Sequence, residues 1–143
     1  MVTRDDLESF LIRMDLDYSE VDEGMYLIQS TSEGPPVVVH HTPPLLVVRL
    51  KVMDLPEGND LSELYERLLV WNATDVVHGA YGIEEEDLIL TDTLELGTLD
   101  FPELQASLES MQMAASSHID KIKGLAGTGQ EDGAELLGAS GSE

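Results

Sequence analysis

The segment Leu45–Met53 alternates its side chains with a two-residue period, and this pattern constrains the fold more than any other stretch. One parity holds four aliphatic residues, Leu46, Val48, Leu50 and Val52; the other holds Val47, Arg49, Lys51 and Met53. Successive side chains of a strand point to opposite faces of its sheet. The segment is therefore predicted to be a strand with one face against a core and the other partly in water.

Four further runs read as strands because apolar residues are bounded by turn residues. They are Met25–Ser30, Val37–His41, Val77–Ile83 and Asp87–Leu96. The prolines at 35–36 and 43–44 must lie outside the hydrogen-bonded ladders. Asp92 interrupts an apolar parity and predicts a bulge or bend. Strands joined by such short connections favour an antiparallel sheet of about five strands.

Three helices are predicted from the 3.6-residue period and from N-terminal capping signals. They span Thr3–Met14, Leu61–Trp71, and the residues after Asp100 to about Lys123. Capping boxes are expected at Thr3 with Asp6, Asp60 with Glu63, and Asp100 with Glu103. The element order α-β-β-β-α-β-β-α indicates an α+β fold. Glycine, alanine, serine and acids dominate from residue 124, so we predict a single domain at 1–123 and a flexible acidic tail at 124–143.

The net charge of −22 comes from 29 acidic and 7 basic residues. Binding to nucleic acid needs Lys and Arg to displace counterions from phosphate, so a nucleic-acid partner is excluded. An anionic membrane surface is disfavoured for the same reason, and an electrostatic partner would be basic. The chain has no cysteine, which excludes disulfides, thiolate nucleophiles and Cys-based zinc sites. The absence of a signal-peptide pattern or a long apolar run predicts a cytoplasmic protein.

No arrangement of residues points to catalysis. The run Glu84–Asp87 is compatible with a divalent-cation site or with a solvated hairpin turn, and the turn is favoured. His40 and His78 could approach each other across the sheet and hold a metal, although nothing in the pattern requires it. Nucleophile-elbow and phosphate-loop motifs are absent from the sequence. The sequence therefore predicts a protein that is not an enzyme and that needs no cofactor.

Six residues are candidates for contact with a protein partner or a second subunit. On the sheet they are Val47, Arg49, Lys51 and Met53; on the second and third helices they are Trp71 and Met113. The two basic residues make their strand face the least acidic surface. Trp71 belongs either to an exposed helical stripe or, as we favour, to the core. Met113 lies off the apolar stripe of its helix, whereas Met111 lies on it and is expected in the core.

The element order and several segments resemble the YbjN-like family, whose fold is similar to that of type III secretion chaperones. The segments that carry the resemblance are Leu7–Leu11, Leu46–Leu50, Leu64–Leu69, Gly79–Ile83, Asp87–Leu94 and Pro102–Ala106. The resemblance implies a convex antiparallel sheet with helices on one side. Secretion chaperones are small, acidic and commonly dimeric, and they bind extended segments of partner proteins; YbjN-like members are associated with regulation or stress.

The resemblance therefore implies a non-enzymatic protein-binding module, chaperone-like or regulatory, that acts as a homodimer. Its partner would be another protein or a second copy, with no nucleic acid and no membrane. The alternative is a small-molecule or metal-binding domain of a bacterial stress or regulatory system.

Overall fold

A computed structural model describes residues 1–29 and 35–127 of the chain. Within these residues the chain forms three helices and six strands. In chain order they are α1 (Arg4–Arg13), β1 (Tyr18–Asp22), β2 (Met25–Ile28), β3 (Val37–Thr42), β4 (Leu45–Asp54), α2 (Ser62–Thr74), β5 (Ala80–Glu84), β6 (Asp87–Glu95) and α3 (Phe101–Ala126). The predicted α+β class with three helices is confirmed, with one strand more than expected.

The six strands form one antiparallel sheet in the order β1-β2-β3-β4-β6-β5. The first four strands follow one another as a meander. The chain then leaves β4, runs through α2 and forms β5 at the far edge. It returns as β6, which fills the place between β4 and β5. The edges of the sheet are therefore β1 and β5.

All three helices contribute to a single apolar core with one face of the sheet. Leu46, Val48 and Leu50 of β4 are fully buried there, whereas Arg49 and Lys51 are exposed on the opposite face. The alternation predicted for this strand is confirmed as far as Lys51. Leu7 and Leu11 of α1, both with no exposed surface, reach the same core.

A bulge in β4 changes the direction of the side chains after Lys51. The register of β4 against β6 shifts between Lys51 and Met53, so that Met53 pairs with Leu88, a fully buried core residue. Directly opposite residues share a face, and Met53 packs against the core. The placement of Met53 on the face of Arg49 is therefore wrong.

The bulge predicted at Asp92 is also wrong, because Asp92 pairs with Val48 in an unbroken part of the ladder. Its carboxylate lies on the core face and accepts a hydrogen bond of 2.9 Å from the hydroxyl of Ser107 on α3. Ser107 is fully buried. This bond satisfies the acid that interrupts the apolar parity of β6.

The strand β1 was not predicted. The acidic residues from Glu20 to Glu23 indicated a loop before the predicted strand that begins at Met25. In the structure, the segment from Tyr18 to Asp22 is itself a strand and pairs with β2. Only Tyr18 is partly covered, and the other four residues of β1 are exposed. A strand with only its first residue covered has no apolar alternation, so the pattern contained no signal for it.

The capping box predicted for α1 is confirmed, and at α3 the N-cap half of the predicted box is present. At α1 the Thr3 hydroxyl accepts from the Asp6 N–H at 3.1 Å, and the Asp6 carboxylate accepts from the Thr3 N–H at 3.0 Å. At α3 the Asp100 carboxylate accepts from the Glu103 N–H at 2.8 Å. Each bond satisfies an amide that the helix leaves without an internal partner.

The capping box predicted for α2 is wrong. Leu61 occupies the N-cap position of α2 and makes no side-chain cap bond. The Asp60 carboxylate instead accepts from the backbone N–H and the hydroxyl of Ser62. The local bonds to Ser62 therefore compete with the longer reach to Glu63 that the spacing favoured.

The ends of two elements differ from the prediction. β5 begins at Ala80 rather than Val77. α3 continues through residue 124 to Ala126, whose carbonyl accepts a 2.8 Å bond from the side-chain amide of Asn59. Gly127 follows with a φ of +79°, the left-handed conformation that ends many helices. Residues 30–34 and 128–143, including Ser30, part of the predicted turn at 33–36 and most of the predicted tail, lie outside the described residues.

Candidate protein-binding surfaces

An apolar groove runs between α2 and the edge strand β5. Its volume is about 260 Å³, and its lining residues are Tyr65, Leu68, Leu69, Asn72, Tyr81, Gly82 and Ile83. We call it the α2–β5 groove. Leu69 on one wall is 69% exposed and Ile83 on the other is 50% exposed. Large aliphatic side chains on the two sides of a concave apolar surface are typical of a binding site.

The inner wall of the groove is held by a stack of rings beneath Tyr81. The imidazole of His118, on α3, lies flat against the indole of Trp71, with ring centroids 3.7 Å apart and planes inclined by 5°. His118 Nδ1 lies 2.7 Å from the Tyr81 hydroxyl, and Nε2 lies 3.3 Å from the carboxylate of Asp75. Burial raises the pKa of the Tyr81 phenol. The bonds join α2, α3 and β5, so the groove is a preformed feature of the fold.

Asn72 of α2 lies across the backbone of β5 inside the groove. Its side-chain oxygen accepts from the Tyr81 N–H at 2.7 Å, and its side-chain nitrogen donates to the Tyr81 carbonyl at 3.3 Å. One side-chain amide thus satisfies both backbone groups of a single residue on the outer side of an edge strand.

The opposite edge of the sheet is β1, which pairs with β2 alone among the described strands. Just before the strand, the Gln29 N–H donates to the Asp17 carbonyl at 2.8 Å. The alternation of an antiparallel ladder then directs the backbone groups of Tyr18 and Glu20 away from β2. This edge presents groups to which an added strand can bond.

A carboxylate on α1 fixes β1 and β2 beneath the helix. The two oxygens of Glu8 accept hydrogen bonds from the hydroxyls of Tyr18, at 3.2 Å, and Tyr26, at 3.1 Å. The two phenol rings meet edge to face with centroids 6.1 Å apart. Burial, reinforced by the Glu8 carboxylate, raises the pKa of Tyr26 to about 12. The arrangement holds the edge strand in place from its core side.

The outer face of the sheet carries the predicted contact residues Val47, Arg49 and Lys51. Val47 is half-buried and the two basic residues are exposed. Arg49 pairs with Glu84 at 2.8 Å. Lys51 lies 2.7 Å from Asp54 and 3.5 Å from Asp87. The two cations are therefore matched by carboxylates, and this face is not a free positive patch.

The other three predicted contact residues do not join that face. Trp71 is 8% exposed and belongs to the core, so the core interpretation of this residue is confirmed and the exposed stripe is wrong. Met53 faces the core because of the bulge. Met113 is exposed on α3, across the sheet from Val47, whereas Met111 is fully buried as expected. The structure thus brings together Val47, Arg49 and Lys51, and separates the rest.

The sequence reasoning missed the importance of Tyr65, Leu69 and Ile83. The helical spacing places Tyr65 on the apolar face of α2 and has Leu69 widen that face, so both were expected in the core, whereas the structure leaves them exposed. The opposing wall could not be predicted, because it depends on β5 lying at the edge of the sheet.

The possible metal sites do not form. His40 lies on β3, and His78 lies two residues before β5, which is separated from β3 by two strands; strands three positions apart in a sheet are ~14 Å apart. Within residues 1–29 and 35–127, no group of three or more potential ligands is close enough to hold a metal ion. Glu85 and Glu86 form the β5–β6 turn, in agreement with the favoured interpretation. None of the described helices is long and apolar enough to cross a membrane.

A family model described as CesT_Tir_1 matches residues 2–128. The chain belongs to the CesT_Tir_1 family. This is a family of type III secretion chaperones. A search of the curated proteins finds no match. The fold of this CesT_Tir_1 chain is nonetheless shared with several solved structures.

One similar chain occurs in the heterodimeric ExoU–SpcU complex from the type III secretion system of Pseudomonas aeruginosa. It has 16% sequence identity and a TM-score of 0.65, and the alignment covers 79% of this chain and 94% of that one. The Yersinia pestis chaperone SycH, in complex with a fragment of YscM2, has 18% identity, a TM-score of 0.59 and coverages of 80% and 98%. YbjN from E. coli, a putative transcription regulator by its description, has 13% identity, a TM-score of 0.60 and coverages of 81% and 90%.

The predicted resemblance to YbjN-like proteins and to type III secretion chaperones is confirmed at the level of the fold. The described part of the chain is a chaperone-like protein-binding fold.

Proposed function

We propose that this protein is a non-enzymatic protein-binding module, chaperone-like or regulatory, that acts as a homodimer and holds an extended segment of a partner protein. The observation that carries the proposal is the preformed α2–β5 groove, an apolar surface with exposed Leu69 and Ile83 on a strongly acidic molecule. Membership of a chaperone family and similarity to chains solved as protein complexes support it.

The occupant of the α2–β5 groove is a second copy of this chain. A twofold interface needs a surface that carries both a projection and the cavity that receives it. Here Leu69 projects from the rim of the groove, so two copies related by a twofold axis can each insert Leu69 beside Ile83 of the other. Burying these aliphatic side chains supplies the driving force.

The partner segment lies along the β1 edge, where the backbone of Tyr18 and Glu20 faces outward. Five acidic residues and no basic residue occur from Asp15 to Glu23. An added strand with lysine or arginine among its exposed residues would complement this charge. The outer sheet face with Val47, Arg49 and Lys51, together with Met113, remains a proposed secondary contact.

The homodimer is tested by light scattering on the full chain and on Leu69→Glu. Because the substitution places a charge in an apolar interface, we expect Leu69→Glu to be a monomer at concentrations where the wild type is a dimer. Ile12→Glu is the matched control, since Ile12 is 64% exposed on α1, away from the groove. Added salt should strengthen the dimer, because it screens repulsion between two acidic copies. A wild type that stays monomeric at high salt would refute the dimer.

The β1 site is tested with Glu20→Pro, which removes the outward N–H while leaving the ladder to β2. Glu20→Ala is the control, because it loses the same side chain and keeps the N–H. Proteins that co-purify from the native lysate with the wild type and Glu20→Ala should be lost with Glu20→Pro, and their retention should weaken with salt. Equal retention by all three proteins would contradict this site.

A small molecule in the groove is the competing outcome. It would appear as a rise in melting temperature with a metabolite that Leu69→Glu abolishes.

A further inference from the structure

The side-chain amide of Asn72 imitates a neighbouring strand at the β5 edge. In an antiparallel ladder each residue directs its N–H and C=O either to its partner strand or away from it, and the two orientations alternate. Because the Tyr81 N–H donates to Asn72 rather than to β6, Tyr81 belongs to the outward set. The two-residue period places the backbone groups of Ile83 in the same set.

An amide side chain carries a donor and an acceptor in the arrangement of a peptide group. Asn72 holds both of its amide atoms against Tyr81, at 2.7 Å and 3.3 Å. A strand added at β5 would have to place its own peptide group there. The helix that carries Asn72 also lies beside this edge and forms the other wall of the groove.

We propose that Asn72 closes the β5 edge to strand addition. A strand added at β5 then loses its hydrogen bonds at Tyr81, so that among the described strands addition is favoured at β1, and the α2–β5 groove accepts partners that pack with side chains. Edge strands with free backbone groups are sites of unwanted pairing, and proteins commonly cover or block them. This inference does not depend on the groove being a dimer interface, because it concerns the backbone edge alone.

If Asn72 only stabilised the fold, its loss should have the same effect as the loss of any other asparagine–backbone hydrogen bond. Asn59 provides such a bond for comparison. Asn59 also donates its side-chain amide to a backbone carbonyl, that of Ala126, at 2.8 Å, but it does so at a helix end. Asn59→Ala therefore controls for the loss of an asparagine–backbone bond. Asn72→Asp is a second, isosteric variant that keeps the acceptor for the Tyr81 N–H and loses the donor to its carbonyl.

The test is hydrogen exchange at the Tyr81 amide in the full chain, with and without a short capped peptide of alternating lysine and valine. In the wild type the amide should exchange slowly and be unaffected by the peptide. In Asn72→Ala it should exchange about tenfold faster, as expected for a lost hydrogen bond. The peptide, or high protein concentration, should then slow it again as a new strand forms.

Asn72→Asp should keep slow exchange at Tyr81 and give no response to the peptide, because the edge remains half occupied and carries an added negative charge beside the carbonyl. Asn59→Ala should behave as the wild type at Tyr81. The infrared amide band of intermolecular sheet should grow with concentration in Asn72→Ala only. Fast exchange in Asn72→Ala that neither peptide nor protein concentration reverses would overturn the proposal, as would wild-type exchange in that variant.

Discussion

Alkaline pH should loosen the attachment of α1 to the first two strands through ionisation of Tyr26. The Tyr26 hydroxyl is buried against the Glu8 carboxylate at 3.1 Å, and its pKa is raised from 10.0 to about 12. The unfolded chain releases this proton near pH 10, whereas the folded chain retains it until about pH 12. The stabilisation is therefore fully present below pH 10, decreases above it, and is exhausted above about pH 12.

A difference of two pKa units corresponds to about 2–3 kcal/mol of unfolding free energy. Urea denaturation followed by circular dichroism, from about pH 8 to about pH 12, measures it. Tyr26→Phe removes the ionisation together with a hydrogen bond to a charged group, which costs about 1.5–3 kcal/mol near neutrality. The stability advantage of the wild type over Tyr26→Phe should then shrink as the pH rises past 10.

The difference in unfolding free energy between the wild type and Tyr26→Phe cancels the contribution of the other tyrosines. These include Tyr81, whose pKa is also raised by burial. Glu8→Gln provides a second check, since replacing the carboxylate should lower the pKa of Tyr26 and move the loss of stability to lower pH. A wild-type advantage that stays constant across the whole pH range would show that Tyr26 does not ionise later in the folded state, and would refute the reasoning.

Three further predictions concern packing and backbone geometry, each measured as a change in the free energy of unfolding. Gly79→Ala should destabilise strongly, because Gly79 has a φ of +85° and an added Cβ would lie 2.6 Å from the Thr91 carbonyl oxygen; Gly82→Ala, with open space around the site, should not. Met111→Ala should cost about 2–5 kcal/mol, since the fully buried side chain would leave a cavity, and a loss below 1 kcal/mol would mean that the core collapses around it. Asp100→Ala should cost about 1 kcal/mol by removing the cap of α3, with no change expected in the oligomeric state.

Elements with one buried and one wet face could be predicted from the sequence. The β4 segment around Val48 and the α1 segment around Leu7 have the periodicities that a single core produces. The side chains of Thr3 and Asp100 cap their helices by accepting hydrogen bonds from the amides three residues later, as the sequence spacing predicted. At Asp60 the backbone N–H and the hydroxyl of Ser62, two residues on, take up the carboxylate, and the predicted capping box was wrong.

The remaining errors arise where long-range pairing overrides the local pattern. Met53 follows the alternation of its strand in the sequence, but the ladder with β6 shifts at this point and turns it to the core. The core position of Trp71 was predicted, but its stacking partner His118 is far away in the chain and was not. The α2–β5 groove and the bond of Asn72 to Tyr81 likewise exist only because β5 lies at the edge of the sheet. No local pattern encodes that order.

The position of β6 inside the sheet has a consequence for the order of synthesis. In the finished sheet β4 lies between β3 and β6. β3 is synthesised before β4, but β6 is synthesised only after α2 and β5. The delay lasts from the synthesis of Asp54, the last residue of β4, to that of Asp87, the first residue of β6, and these two residues pair in the finished sheet. During that interval the growing chain carries an apolar strand edge that only a later segment can cover, and such edges are prone to pair with other chains. A nascent chain that ends before β6 should therefore aggregate, whereas one that extends past Glu95 should not.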